Sequence, residues 1–143
     1  MGEIDIKKKI TELASKLDHK TLAVWAIDCA EHVLLFFEEQ YPKDLRPRNA
    51  IEAGRAWVRD EISVGEARSA AFAAHAAARD VDEGVTRAVA RSAGHAVATA
   101  HVAGHAVHAA NYAAKAIAKE RLWQYQHLLD LVKNNNNNNN KKV

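Results

Sequence analysis

The chain has 143 residues, of which 48% are hydrophobic and 27% charged, with a formal net charge of +2. That length suits one domain whose core is large enough to need neither a disulfide nor a structural metal. The near balance of 20 Lys+Arg against 18 Asp+Glu argues against strong binding to nucleic acid or to a membrane surface.

The single cysteine, Cys29, forbids an internal disulfide and fits a reducing cytoplasm. The first residues are acidic and then basic, so no signal peptide is expected. No run reaches the roughly 18 apolar residues of a membrane span.

The spacing of Ile6, Ile10, Leu13, Ala14 and Leu17 predicts a first helix over residues 3–17. Asp18 is placed to cap a second helix over 19–40, which is apolar on several faces and therefore reads as central. Asp28, Glu31 and His32 are polar inserts in its middle. Asp28 and His32 are four residues apart and can meet as a partly buried ion pair. Tyr41-Pro42-Lys43-Asp44-Leu45-Arg46-Pro47-Arg48 reads as a loop. Pro42 stops one helix, and Pro47 suits the first turn of the next, over 47–61, with Ala50, Ile51, Gly54, Trp57 and Val58 inward. Its outer face carries Arg48, Glu52, Arg55 and Arg59. Pairing within a solvated face is the plainer reading; the sharper one is a basic surface with Arg46, Arg48, Arg55 and Arg59 that meets an acidic partner.

Ser63-Val64-Gly65-Glu66 has the form of a capping box and predicts a helix start. That helix runs to about Asp80, with Val64, Ala67, Ala71, Ala74 and Ala78 as its seam. From Glu83 to Lys119 the pattern is helical almost throughout. Gly94 and Gly104 each cost about 1 kcal/mol inside a helix, so a break near 98–103 is expected, with Thr99 able to cap a fresh start. A last segment, 120–132, is expected to bury Leu122, Tyr125, Leu128, Leu129 and Val132. The seven asparagines at 134–140 have no apolar face, so 134–143 reads as a disordered low-complexity tail after a single domain over 1–133.

Residues 67–118 hold 22 alanines in 52 positions, which calls for helices in close contact. The expected fold is all-α: one compact domain of five to six helices around an Ala-rich, close-packed core. Ala-Gly-His-Ala-Val occurs twice, at 93–97 and 103–107. Ten helical steps leave His105 about 80° away from His95, so this is no solenoid period.

His101, His105 and His108 would share one face of a continuous helix with Tyr112. Such imidazoles can bind a divalent transition metal if Asp28, Glu31 or His75 adds a further ligand. The plainer reading makes each histidine, His95 included, a polar insert bonded to a neighbouring helix or open to solvent. Enzyme signatures are missing: there is no G-x-S-x-G, no phosphate-binding glycine loop and no strand before the glycines. Cys29 sits inside an apolar helix, a poor setting for a nucleophile.

Four blocks carry a resemblance. They are Cys29-Ala30-Glu31-His32-Val33-Leu34 with Phe37-Glu38-Glu39 and Tyr41-Pro42; Arg46-Pro47-Arg48 with Ala50-Ile51-Glu52-Ala53 and Arg55-Ala56-Trp57; Ala74-His75-Ala76-Ala77-Ala78-Arg79; and Ala93-Gly94-His95-Ala96-Val97-Ala98-Thr99-Ala100-His101-Val102 with His105-Ala106 and Tyr112-Ala113-Ala114-Lys115-Ala116. Over roughly residues 20–125 the chain resembles a family of small helical bacterial immunity proteins associated with polymorphic toxin systems.

The resemblance implies a non-enzymatic protein that binds and neutralises a cognate toxin, with no cofactor and no catalytic residue to carry over. The expected contact surfaces are Tyr41, Asp44, Arg46, Arg48 and Arg55, or the histidine stripe. A second copy of the chain is a further candidate partner. The alternative function is a helical domain that binds a metal or small ligand through its histidines.

Overall fold

The computed structural model describes residues 2–141. Eight helices are present among them: α1 (Glu3–Ala14), α2 (His19–Val33), α3 (Leu35–Gln40), α4 (Arg46–Val58), α5 (Val64–Arg79), α6 (Val85–Ala98), α7 (His105–Ala113) and α8 (Glu120–Lys141). No strand occurs among the described residues, and one hydrophobic core links all the helices.

The count exceeds the expected five to six for two local reasons. Leu34 donates its N–H to the carbonyl of Glu31 (3.2 Å), a tightened three-residue step that divides the predicted helix 19–40 into α2 and α3. The long helical pattern after Gly84 breaks twice, at 99–104 and at 114–119.

Several boundaries follow from local chemistry. The Asp18 carboxylate accepts from the Thr21 N–H (2.7 Å) and caps α2. Pro47 occupies the first turn of α4, where its missing N–H costs nothing. The other end of α4 closes with Glu61 N–H on the Ala56 carbonyl and Asp60 N–H on that of Trp57 (both 2.9 Å). This is the Schellman pattern, with Asp60 in the left-handed position (φ 62°) usually given to glycine. At α5 the capping box forms: Ser63 Oγ accepts from the Glu66 N–H (3.1 Å) while Glu66 accepts from the Ser63 N–H (3.4 Å). Thr99 closes α6 rather than opening a new helix, its Oγ1 donating to the His95 carbonyl (3.2 Å).

The central element is α6, which packs against α2, α3, α4, α5 and α7. Its Ala88, Val89, Ala90, Ala93, Ala96 and Val97 are buried. Facing them are Ala67, Ala71, Ala74, Ala77 and Ala78 of α5 and Ala106, Ala109, Ala110 and Ala113 of α7. Small side chains let these axes approach, and the volume elsewhere is filled by Trp25, Ile27, Phe37 and Ile51, all fully buried. Gly54 is part of this fit, since a Cβ there would lie 2.8 Å from Ile27 Cδ1. Val64 falls outside the predicted α5 seam at 40% exposure, and Ala77 joins it.

The inner face of α8 is rotated from the expected one. Leu122 and Leu129 are exposed, whereas Glu120, Gln124 and Leu128 are buried. The polar pair goes inside because it finds partners. Glu120 bonds to His32 and Gln124 Nε2 donates to the Ala110 carbonyl (2.8 Å), while the main-chain carbonyl of Gln124 accepts from Trp25 Nε1–H (3.1 Å). The helix continues through the asparagine run to Lys141, where the sequence pattern points to a disordered tail; extending an existing helix is far easier than starting one. Lys142 and Val143, the end of the predicted tail, lie outside the described residues.

Candidate functional site

Two polar clusters form on the helical frame, and they share no residue. The first joins α2, α4 and α8. The carboxylate of Asp28 is held from two sides, by Arg55 Nη1 (2.8 Å) and His127 Nε2 (2.7 Å). Glu31 lies one turn on and accepts from Arg55 Nη2 (3.1 Å), with Arg48 Nη1 at 3.7 Å. His32 reaches Glu120 through Nδ1 (2.5 Å). Burial raises the Glu120 pKa, and the bond to His32 partly opposes that. The Trp123 ring stacks on His32 (3.7 Å between centroids) and on His127 (5.1 Å). Asp28, Glu31, His32, Trp123 and His127 thus line a shallow cleft of about 430 Å³.

The expected Asp28–His32 pair does not form. Each side chain turns to a different partner from outside α2, because Arg55 and His127 flank Asp28 while Glu120 is presented to His32 by α8. The sequence reading missed His127 and Glu120. Their spacing with Trp123 marks one face of α8, but nothing in the pattern of apolar residues assigns that face to α2.

The second cluster joins α5, α6 and α7. His75 lies against Gly94, where a Cβ would come within 2.7 Å of its Cε1 and Nε2. His95 is at its centre: 4.9 Å from His75 between centroids, 5.1 Å from His105, 5.5 Å from His108, and stacked on Tyr112 at 5.3 Å. His95 Nδ1 and His105 Nδ1 share a hydrogen bond (2.9 Å), so one donates and the other accepts. Arg91 Nη1 donates to His75 Nδ1 (3.0 Å), which requires an uncharged His75 carrying its proton on Nε2.

Burial, then the neighbouring cations, drive the His75 pKa down to about 4. Burial and the imidazoles around it do the same to His95, also to about 4. His105 is lowered as well, chiefly by burial.

This grouping differs from the predicted stripe. A helix running straight through 95–108 would set His95 on another side and align His101, His105 and His108. The turn at 99–104 re-aims α7, so His95 joins His105 and His108, and His101 stays exposed in the turn. His75 belongs to this cluster, whereas Asp28 and Glu31 belong to the other. Among the described residues no three His, Cys, Asp or Glu side chains are arranged to hold a metal ion.

The five residues expected at a partner surface divide into two groups. Arg46 forms a two-pronged pair with Asp44 (2.9 and 2.7 Å) and reaches Asp80 at the end of α5 (2.8 Å), which ties the loop to that helix. The guanidinium holds the Asp44 pKa below the ordinary carboxylate range. Arg48 pairs with Glu38 (2.6 Å), and Arg55 with Asp28 and Glu31. Tyr41 is 41% exposed, its ring tilted against Phe37 at 5.6 Å. Arg59 pairs with Glu61 (2.8 Å), so each arginine of the predicted basic face has a carboxylate partner.

No helix among the described residues is long and apolar enough to cross a membrane. No curated protein and no solved structure matches the chain. The family model described as Imm-5 like putative immunity protein matches residues 12–131, well over half of the chain, and the chain belongs to that family.

Proposed function

We propose that this protein binds a cognate toxin and neutralises it by covering part of its surface, with no chemistry and no cofactor of its own. The observation that carries the reading is the family match over residues 12–131. The geometry supports it. In the α2–α4–α8 cluster every acidic group named is engaged by Arg or His, so none is poised as a base beside a nucleophile.

The contact surface proposed is the face of α3 and the loop into α4. Leu35, Tyr41 and Leu45 are 60%, 41% and 54% exposed there, beside Asp44, Arg46 and Arg48. Tyrosine and arginine are enriched at interface centres, and the two exposed leucines add apolar area beside them. A contact of about 800 Å² per partner would suffice. Ion pairs behind the loop hold its shape before any partner arrives, which lowers the ordering cost of binding.

The test is co-expression with the candidate toxin genes of the same genome, followed by co-purification. Rescue of growth and a stable complex are expected. Tyr41→Ala combined with Leu45→Asp should abolish both while leaving the circular dichroism spectrum unchanged. Absence of rescue by the unmodified protein overturns the reading; rescue by the folded double variant overturns the choice of surface.

A further inference from the structure

A cleft of about 510 Å³ opens where the start of α6 meets the end of α7, lined by Glu83, Gly84, Val85, Arg87, Ala88, Arg91, Tyr112 and Lys115. Three of its eight lining residues are cations. Arg87 is locked in place by the carbonyls of Ala78 (3.0 Å from Nε) and Val81 (2.6 Å from Nη2), which orient it without neutralising it. Its one carboxylate, Glu83, is 3.4 Å away on a side chain that is 89% exposed.

Arg91 stands one helical turn along and donates to His75, an uncharged group. Lys115 Nζ sits 4.6 Å from the centre of the Tyr112 ring. No ion pair joins Arg91 or Lys115 to a carboxylate among the described residues, in contrast to the arginines of α4.

The surroundings add to the imbalance. The imidazoles behind Arg91 stay neutral rather than accept a proton near it. The 14-residue helix α6 begins at this cleft with no side-chain cap and no acidic residue in its first turn. Its N-terminus contributes a further half positive charge, pointing the same way.

We propose that this cleft binds a small molecule through a phosphate dianion, either free phosphate or a phosphomonoester. Two uncompensated charges plus the helix end match a group carrying −1.5 to −2 at neutral pH. A single carboxylate or a phosphodiester, with one charge, would leave the cleft positive. Arg91 and the first amides of α6 supply directed N–H donors, and Lys115 supplies a mobile point charge. The cleft has room for more than the phosphate itself, so an esterified ligand can fill it.

The experiment is calorimetric titration of the full chain at low salt with inorganic phosphate, adenosine monophosphate and cyclic adenosine monophosphate. Amide chemical shifts are followed in parallel. One-to-one saturable binding of phosphate or the monoester is expected, with the cyclic diester at least tenfold weaker. Shifts should concentrate at residues 84–88 and 112–115. Lys115→Gln and Arg91→Gln should each weaken binding at least tenfold, and Lys133→Gln, on the exposed side of α8, should leave it unchanged. Binding of phosphate alone assigns the site to the free anion; tighter binding of the monoester assigns it to the ester.

Three results would overturn the proposal. They are no saturable binding at millimolar ligand, unchanged affinity in folded Lys115→Gln, or tighter binding of an acidic heptapeptide than of the monophosphate. The last would make the cleft a docking point for an acidic protein segment.

Discussion

Acidification should destabilise the fold through the α5–α6–α7 histidine cluster. His75 and His95 are held at a pKa of about 4 in the fold, against an ordinary value of 6.5. The unfolded chain therefore takes up protons in that interval that the folded chain refuses, and stability must rise with pH across it. The contribution is complete above about pH 6.5 and is lost as pH falls toward about 4.

At about 1.36 kcal/mol per unit of displacement, each ring would account for roughly 3 kcal/mol if fully screened from water. Both are only half-buried, which reduces that by about half, and the rings touch each other, so their contributions do not simply add. The expected loss is about 2–4 kcal/mol, a large part of the stability of a domain this size. Glu120, whose pKa is raised by burial, works in the opposite direction and offsets a little of the loss. Asp18 and Asp44, both lowered, act only in more acid solution.

Urea unfolding followed by tryptophan fluorescence, at steps from about pH 7 to about pH 4.5, measures the slope directly. The double variant His75→Gln, His95→Gln should lose most of it. A flat profile in the unmodified protein, or the same slope in the double variant, would refute the account.

Gly94→Ala should destabilise the fold by about 1–2 kcal/mol even though alanine is the better helix former, because its Cβ has to displace the His75 ring. Adding His75→Ala should restore the loss in thermal denaturation; a Gly94→Ala protein that melts higher on its own would contradict the packing. Cys29 is fully buried, and burial, reinforced by Asp28 and Glu120, raises its pKa well above the ordinary value. It should resist a thiol reagent in the native state and react at the rate of global unfolding; fast labelling of native protein would show that the α2 core opens locally.

Local chemistry was legible and relative orientation was not. Asp18, Pro47 and the Ser63–Glu66 box act within four residues of themselves, so their roles can be read without knowing the rest of the fold. The helical spacing of the apolar residues likewise suffices for the all-helical class. The histidine cluster is different in kind. Its four members come from three helices, and His95 meets His105 only because α7 departs from the line of α6 after Thr99. Helical periodicity, carried across a turn, predicts the wrong neighbours.

The face of α8 failed for a related reason. Hydrophobicity favoured Leu122 and Leu129 as inward residues, but Glu120 and Gln124 gain specific partners in His32 and the Ala110 carbonyl. Such partners are invisible until α2 and α7 are in place. Gln124 also shows the limit of that gain, since its Oε1 is buried without a hydrogen bond.

The two clusters differ in how far their charge is satisfied, and that difference separates scaffold from surface. Around Asp28 the acids and bases come from α2, α4 and α8 and close on one another, so removing one leaves a partner stranded. This arrangement locks three helices together and has little left to offer a ligand. Around Arg91 the balance is one-sided. Neutral imidazoles pack behind it, and the cations in front face a cleft whose one carboxylate is nearly free in solvent. Holding like charges together without a counter-ion costs stability, and the fold limits that cost by keeping His75 and His95 uncharged. Such a site is stabilised by an anion from outside. Added phosphate should therefore raise the melting temperature most at low salt and near neutral pH, where the dianion is abundant and the imidazoles are still neutral.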